Sequence, residues 1–282
     1  MSPTESAAER WRRLVRARMD QIERLSGGEV RIGPAFWDQR AERYGAKVGG
    51  TAARDPLLGR VRRHIGRRTV VLDVGAGTGR FSLALAAGAA DVVAVDVSRG
   101  MLDVLRRDAD RLGLGNLRTV HSRWEDAPEV SGDVAICSYV LPLVEDVGAF
   151  LVKLHEASRR RVFLYLGAGG AELLLDPFWR YFHGDPREPA VTYLDALAVL
   201  QELGIDPGVE IVEVRTTGRF ATLDEAVDDY RRTLLLPDTD EARQELRGLL
   251  GSWLVGRDGG LGVPARTMPA AIVSWAPSRR AP

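Results

Sequence analysis

The stretch VVLDVGAGTGRF, residues 70–81, decides the fold. An apolar run ends in an acid, Asp73, and three glycines follow at every second position, at Gly75, Gly77 and Gly79. A buried strand that leads through a glycine turn into a helix is typical of nucleotide-cofactor sites, because glycine lets the ligand approach the backbone closely. The sequence therefore predicts that this turn receives part of a nucleotide cofactor.

Short apolar strands alternate with amphipathic helices around this turn. The predicted strands are TVVLDV (69–74), DVVAVDV (91–97), LRTVHS (117–122), DVAICSYV (133–140), RVFLYLG (161–167), VEIVEVRTT (209–217) and AAIVSWA (270–276). The helices between the first five are predicted at about 79–88, 98–113 and 146–158. Repeated βαβ units build a parallel sheet that is covered on both faces. The sequence predicts an α/β fold with a Rossmann-like, doubly wound, mostly parallel sheet of seven strands.

Helices at both ends of the chain extend this core. Amphipathic helices are predicted at 5–25, 35–44, 55–65, 193–203, 223–235 and 239–255. We predict an N-terminal helical lid at 1–66, a core at 67–217 and 268–277, and a helical insertion before the last strand at 218–267. We predict that this insertion either caps the substrate site or forms an oligomer contact, such as that of a homodimer.

Composition excludes several classes of protein. Lys plus Arg and Asp plus Glu both total 39, so no net charge attracts the chain to nucleic acid or anionic lipid. The one cysteine, Cys137, excludes an internal disulfide framework. No apolar run approaches the roughly 20 residues that span a bilayer. We expect a soluble cytoplasmic protein with no membrane partner and no bound metal.

The turn favours one class of cofactor over another. Dinucleotide enzymes need G-x-G-x-x-G, and Arg80 stands at the position of the third glycine. Asp73, two residues before the first glycine, would repel a pyrophosphate but suits a cation. S-adenosylmethionine carries a sulfonium and an ammonium and is such a ligand.

The stretch DVGAGTGRFS resembles motif I of the class I S-adenosylmethionine-dependent methyltransferases, and the similarity extends from about residue 35 to the C-terminus. Asp96 ends the second strand, where that family places an acid that binds both ribose hydroxyls. The resemblance implies S-adenosylmethionine as the cofactor and S-adenosylhomocysteine as its product. The cofactor-binding residues that it implies at these two motifs are Asp73, Gly75, Ala76, Gly77, Gly79, Asp96 and Val97.

Further family positions lie outside these motifs. The resemblance places Met101 against the adenine face, although a buried helix position explains it equally well. The adenine amino group would meet the Trp124-Glu125 backbone or the Glu125 carboxylate, and Trp124 would cover the ring edge or simply be a partly exposed aromatic. Ser138 ends the fourth strand, at the crevice edge. The remaining cofactor-binding candidates belong to the lid helix and are Trp37, Tyr44 and Arg40.

The resemblance implies methyl transfer by in-line displacement to an O, N or C nucleophile of a small molecule. The candidate general bases are His183, in the aromatic segment after the fifth strand, and Tyr139, after the fourth. An RNA or protein methyltransferase is the first alternative, but the fourth strand lacks the Asn-Pro-Pro-aromatic signature of such enzymes. A protein that binds the cofactor without transferring methyl, such as a regulatory subunit or an enzyme of cyclisation or alkyl transfer, is the second.

Overall fold

A computed structural model describes residues 5–169, 171–216, 219–257, 259–265 and 267–277. Its helices are α1 Ala7–Leu25, α2 Pro34–Asp38, α3 Ala41–Val48, α4 Pro56–Arg62, α5 Ser82–Ala86, α6 Arg99–Arg111, α7 Val147–Ala157, α8 Ala171–His183, α9 Tyr193–Glu202, α10 Leu223–Thr233 and α11 Asp240–Trp253. Its strands are β1 Val70–Val74, β2 Asp91–Asp96, β3 Leu117–His121, β4 Gly132–Ser138, β5 Ser158–Gly167, β6 Gly208–Arg215, β7 Arg219–Phe220, β8 Val255–Arg257, β9 Gly260–Gly262 and β10 Thr267–Trp275.

Seven strands form the central sheet in the order β3-β2-β1-β4-β5-β10-β6. β1 to β5 are parallel neighbours, and β10 runs antiparallel between β5 and β6. The strand order reverses at β1, which lies between β2 and β4. The predicted Rossmann-like, mostly parallel sheet of seven strands is confirmed, and the switch point where such folds bind ligands lies beyond β1.

Apolar side chains from both faces of the sheet are buried under helices, as the near-continuous hydrophobic strands predict. One face packs on α1, α7 and α9, where Trp11 is fully buried and its indole Nε1 donates to the carbonyl of Val144 at 2.8 Å. The other face packs on α4 and α5 through residues such as Leu57 and Leu85. Each fully buried side chain of this size stabilises the fold by about 1.5–3 kcal/mol.

A third core lies in the C-terminal half. Residues of α8, α10 and α11 pack together, with Phe178, Tyr230 and Trp253 in edge-to-face contact. A small sheet in the order β7-β9-β8, which was not predicted from the sequence, contributes Phe220 to the same core, and Val263 joins this core directly after β9. This arrangement links α8 to the predicted insertion, whose proposed boundary at 217 and 218 lies outside the described residues. The domain division stays a prediction.

Some local predictions were wrong. The helix expected at 35–44 is two helices, α2 and α3, because Asp38 at the end of α2 binds the N-terminus of α6. The helix expected at 79–88 is only the short α5, since the glycine turn continues through its first residues. The aromatic segment is the helix α8 even though Pro177 lies inside it, and burial of Phe178 and Trp179 offsets the lost backbone hydrogen bond.

Among the described residues, no helix combines the length and the apolar character that crossing a membrane requires.

Candidate active site

The glycine turn follows β1 at the switch point of the sheet. The backbone N–H groups of Gly75 and Ala76 both donate to the carbonyl of Val95, at 2.8 and 3.1 Å, and fix the turn on the end of β2. Gly75 and Gly77 have φ values of +73° and +54°, which lie in the left-handed region that glycine adopts without strain. The turn therefore presents bare backbone to the space above the sheet.

Asp96 lies at the end of β2 beside this turn. One carboxylate oxygen accepts from the N–H of Gly77 and the other from the N–H of Ser98, both at 2.8 Å. Burial raises the pKa of Asp96, and these backbone hydrogen bonds oppose the rise. The backbone N–H of Val97 also interacts with this carboxylate. Because an ionised carboxylate offers about four acceptor positions, Asp96 keeps acceptor capacity for a ligand at this edge of the sheet.

A cavity of about 240 Å³ opens beside Asp96, and we call it the first cavity. Most of the predicted cofactor-binding residues line it, and these are Trp37, Tyr44, Gly75, Gly77, Asp96, Val97, Met101, Trp124, Glu125 and Ser138. The candidate base Tyr139 lines it as well. The structure thus brings together residues from the lid helices and from the ends of β1, β2 and β4, although their individual roles stay predictions.

The lid is fastened to the core by Asp38. Its carboxylate accepts from the hydroxyl of Ser98 at 2.6 Å and from the N–H of Gly100 at 2.8 Å, which lowers the pKa of Asp38. This contact holds α2 and α3 over α6, so that the rings of Trp37 and Tyr44 meet edge-to-face above the cavity. The sequence analysis missed Asp38, whose only sequence signal is an acid inside the aromatic segment AFWDQR.

Two predicted residues are held rigidly in the cavity wall. Trp124 is 4% exposed and its indole donates to the carbonyl of Phe150 at 3.2 Å, so it is not the partly exposed aromatic of the alternative prediction. Met101 is 3% exposed, packs with Ala41 and Val104, and still lines the cavity. Its two proposed roles, core residue and cavity wall, are therefore compatible.

Tyr139 has an unusual backbone. Its φ of 58° lies in the left-handed region, which costs about 1–3 kcal/mol for a residue with a side chain and occurs mostly at functional sites. Its ring packs on that of Tyr165 at 5.1 Å between centroids. Burial, together with the negative charge of Asp55, raises the pKa of Tyr139 to about 12. At neutral pH the Tyr139 phenol is therefore protonated, and it is a hydrogen-bond donor and a poor base.

Four predicted cofactor residues lie outside the lining of the first cavity, and they are Asp73, Ala76, Gly79 and Arg40. Asp73 is 2% exposed and its carboxylate accepts from the hydroxyl of Ser82 at 2.6 Å, behind the turn. The glycine turn covers the end of β1. The geometry therefore does not indicate direct contact between Asp73 and a cationic ligand. Arg40 lies over the Phe36 ring and lines a neighbouring cavity.

His183 does not line either cavity. Its Nε2 lies 2.7 Å from the carbonyl of Leu234 and its ring packs on Trp179, in the third core. A histidine beside a carbonyl oxygen holds a proton on that nitrogen, so this atom is not available as a base. We predicted His183 at the crevice from its position after the fifth strand, whereas α8 carries it away from both cavities.

The sequence analysis also missed a buried ion pair below the cavity. Arg80 binds the carboxylate of Asp55 at 2.5 Å, and Asp55 caps α4 by accepting from the N–H of Leu57. The hydroxyl of Tyr165 reaches the same carboxylate at 3.4 Å. Arg80, which distinguished this turn from the dinucleotide pattern, therefore ties the turn to the N-terminal region.

Asp73 gives the fold a testable pH dependence. Burial, more than the neighbouring charge of Asp96, raises its pKa from 3.8 to about 7, so the folded state holds a proton that the unfolded state releases. The stability that this proton contributes is complete below pH 3.8 and is lost as the pH rises through about 7. Between pH 5 and pH 8, we expect the melting temperature of Asp73→Asn to fall less than that of the unmodified protein, as measured by thermal unfolding.

The matched control is Asp91→Asn, on the next strand, where the carboxylate is exposed and pairs with Arg118. Its pH profile of melting temperature should run parallel to that of the unmodified protein. A parallel profile for Asp73→Asn as well would contradict the assignment of the proton to Asp73.

Comparisons with known proteins agree with this geometry. A family model described as a methyltransferase domain matches residues 71–160. An uncharacterized protein of Haemophilus influenzae is 31% identical over 154 residues, which cover 52% of this chain and 56% of that protein. The malonyl-[acyl-carrier protein] O-methyltransferase of Serratia marcescens is 29% identical over 230 residues, which cover 79% of each chain. The chain thus spans little more than half the length of the Haemophilus protein.

The fold has solved counterparts. The structure of a Bacillus halodurans C-125 protein superposes with a TM-score of 0.54 at 16% identity, over 78% of this chain and 97% of that one. The sheet order and the glycine turn with Asp96 beside it agree with the methyltransferase-domain match. Residues 71–160 thus match a methyltransferase domain, which supports the predicted resemblance to the class I S-adenosylmethionine-dependent methyltransferase family.

The first cavity fits the cofactor of this family, S-adenosylmethionine. The carboxylate of Asp96 lines this cavity and can accept hydrogen bonds from hydroxyl donors. A Cβ on Gly77 would meet only the Tyr44 ring, at 3.9 Å, so the bare backbone leaves space between turn and lid. These residues suit a ribose and the chain attached to it.

Proposed function

We propose that this protein transfers a methyl group from S-adenosylmethionine to a small-molecule acceptor. The single observation that carries the proposal is the carboxylate of Asp96, which lines the first cavity beside the glycine turn and keeps acceptor capacity for a ligand. The family match supports the reaction class. The size of the neighbouring cavity and the net charge support a small acceptor.

In this proposal residues of the lid and residues at the strand ends each bind a different part of the cofactor. Asp96 accepts from the two ribose hydroxyls, and the backbone at Gly75 and Gly77 lies along the methionyl chain. Met101 and Trp124 flank the base, whose amino group meets Glu125 or the adjacent backbone. All of these residues line the same cavity, which supports the division.

Bound S-adenosylmethionine supplies a methyl group on a sulfonium, a leaving group that needs no activation. The contribution of the protein is alignment, which lowers a barrier by roughly 7–11 kcal/mol in well-oriented cases. The Tyr139 phenol, protonated at neutral pH, donates a hydrogen bond that orients the acceptor. A general base is needed only when the acceptor loses a proton as it reacts, and the structure favours neither His183 nor Tyr139 for that task.

Two observations favour a small acceptor. A second cavity of about 310 Å³ adjoins the first, with Ile32, Trp37 and Tyr44 in the walls of both. This volume is at the lower end of the range that small-molecule sites occupy. The zero net charge also gives no electrostatic attraction to nucleic acid. The Serratia marcescens relative is an O-methyltransferase by name, which favours oxygen as the acceptor atom.

The reaction can be tested without knowing the acceptor. We expect S-adenosylhomocysteine to accumulate when the protein is mixed with S-adenosylmethionine and a pooled metabolite extract, because the acceptor displaces the sulfonium. Mass spectrometry of the quenched mixture measures it, and the control omits the extract. Formation of methylthioadenosine alone would show that the sulfonium is used for another reaction, and no conversion by folded protein that binds the cofactor would contradict methyl transfer.

A further inference from the structure

The second cavity lies directly beyond the lid aromatics. It is enclosed by α1, the lid helices, α8 and α10, and it shares the side chains of Trp37 and Tyr44 with the first cavity. Apolar groups form much of its wall, including the buried indole of Trp179. A molecule bound there lies next to the first cavity and can extend an apolar part toward it.

The charges of this cavity are unbalanced. Its cationic lining residues are Arg40, Arg43, Lys47, Arg187 and Arg232. The carboxylate among the described lining residues is that of Asp229, which binds Arg43 at 2.6 Å and Lys47 at 3.5 Å. The acid is therefore engaged by two of the cations.

Arg40 and Arg232 face the cavity without such a partner. Arg40 donates to the carbonyl of Phe36 at 3.2 Å, and neither arginine forms an ion pair with a carboxylate in the part of the chain that the structure describes. Burial lowers the pKa of both arginines; the charges of Arg232 and Arg43 lower that of Arg40 further, while the charges of Asp228 and Asp229 partly oppose the shift of Arg232. Because guanidinium groups stay charged in proteins, an anion that binds between them relieves their mutual repulsion.

We infer that the methyl acceptor is an anionic small molecule whose carboxylate or phosphate group binds Arg40 and Arg232. This inference rests on the proposed function and adds the chemical class of its substrate. Guanidinium groups match both oxyanions in geometry and charge. The apolar part of the acceptor lies against Trp37 and Trp179. Since neither arginine lines the first cavity, the anionic group is the binding handle and the nucleophile is another atom of the same molecule.

Binding can be followed through the two tryptophans of the cavity wall. The probes are 3-phenylpropionate, phenyl phosphate and the neutral 3-phenylpropionamide, titrated at fixed ionic strength with S-adenosylhomocysteine present. We expect at least one acid to quench tryptophan fluorescence with an affinity about tenfold or more above that of the amide. The tighter of the two acids identifies the oxyanion. Equal affinities for acids and amide, or no binding by any of the three, would overturn the inference.

Variants assign the effect to the two arginines. Arg232→Met and Arg40→Met should each weaken binding of the preferred acid by about tenfold to a hundredfold, because each removes a charged hydrogen bond. The control Arg118→Met, on β3 and exposed, should change nothing. Arg232 is exposed on α10, so its variant tests binding even if Arg40→Met fails to fold. Variants that weaken S-adenosylhomocysteine binding and leave acid binding unchanged would overturn the inference and assign the arginines to the cofactor.

A second experiment separates this inference from the proposed function. The metabolite extract is divided on an anion-exchange resin, and each fraction is assayed for S-adenosylhomocysteine formation. Activity in the retained fraction supports an anionic acceptor. Activity only in the unretained fraction overturns the inference but leaves methyl transfer intact, whereas activity in neither fraction contradicts the proposed function itself.

Discussion

Asp96→Ala is expected to weaken S-adenosylhomocysteine binding by about a hundredfold to ten-thousandfold. The variant loses two hydrogen bonds to a charged acceptor, each worth about 1.5–3 kcal/mol, and every 1.4 kcal/mol is about tenfold in affinity. It also leaves the N–H groups of Gly77 and Ser98 without their present acceptor. Isothermal titration calorimetry measures the affinity, and thermal unfolding measures any loss of fold.

Two further variants make this result specific. Asp96→Asn keeps the shape but offers one acceptor oxygen to two backbone donors and two hydroxyls, so its affinity should fall between those of the alanine variant and the unmodified protein. Asp91→Ala removes a carboxylate from the opposite end of β2, where it pairs with Arg118 on the surface. It should bind as the unmodified protein does. A folded Asp96→Ala that binds within twofold of the unmodified protein would show that the ribose assignment is wrong.

The central sheet could be predicted from sequence because its signals are local. The strands β1, β2, β4 and β5 each contain a run of apolar residues, and the glycine turn marks which strand is first. The small sheet of β7, β8 and β9 was missed because strands of two or three residues have no periodicity to detect. The sequence predicts the sixth strand as far as residue 217, whereas β6 ends at Arg215 and residue 217 lies outside the described residues.

The candidate site was predictable only where a motif fixes the backbone. Asp96 and the glycines of the turn follow from their position on adjacent strands, and they line one cavity. Asp38 and the pair of Arg80 with Asp55 depend on contacts between residues that are 25 or more positions apart, which no short pattern encodes. The position of His183 could not be predicted for a related reason, since tertiary packing of α8 carries it against Trp179 and the carbonyl of Leu234.

The clustering of cationic side chains around the second cavity could not be predicted from the sequence either. Arg40 and Arg232 come from the lid and from α10, almost 200 residues apart. Only the fold reveals that they line one cavity. A net charge of zero for the whole chain therefore does not predict the local excess of cationic residues in this cavity.

Gly75→Ala is expected to lower the free energy of unfolding by about 2–5 kcal/mol. The φ of +73° costs a residue with a Cβ about 1–2 kcal/mol. A Cβ at this position would also lie 2.1 Å from Cγ2 of Val140, far inside contact distance, and such overpacking costs about 1–3 kcal/mol more. Chemical denaturation followed by circular dichroism measures the loss.

Gly77→Ala separates the cost of backbone strain from that of steric overlap. It also separates the role of the turn in stability from its role in cofactor binding. Its φ of +54° brings a similar strain, but the added Cβ meets only Cε1 of Tyr44, at 3.9 Å. We therefore expect a smaller loss of stability, of about 1–2 kcal/mol, together with weaker cofactor binding because the methyl group projects into the cavity. In the double variant Gly75→Ala with Val140→Ala, removal of the overlap should make the loss smaller than the sum of the two single losses. Equal losses for the two glycine variants, with additive behaviour in the double variant, would mean that backbone strain alone selects glycine and that Val140 does not press against the turn.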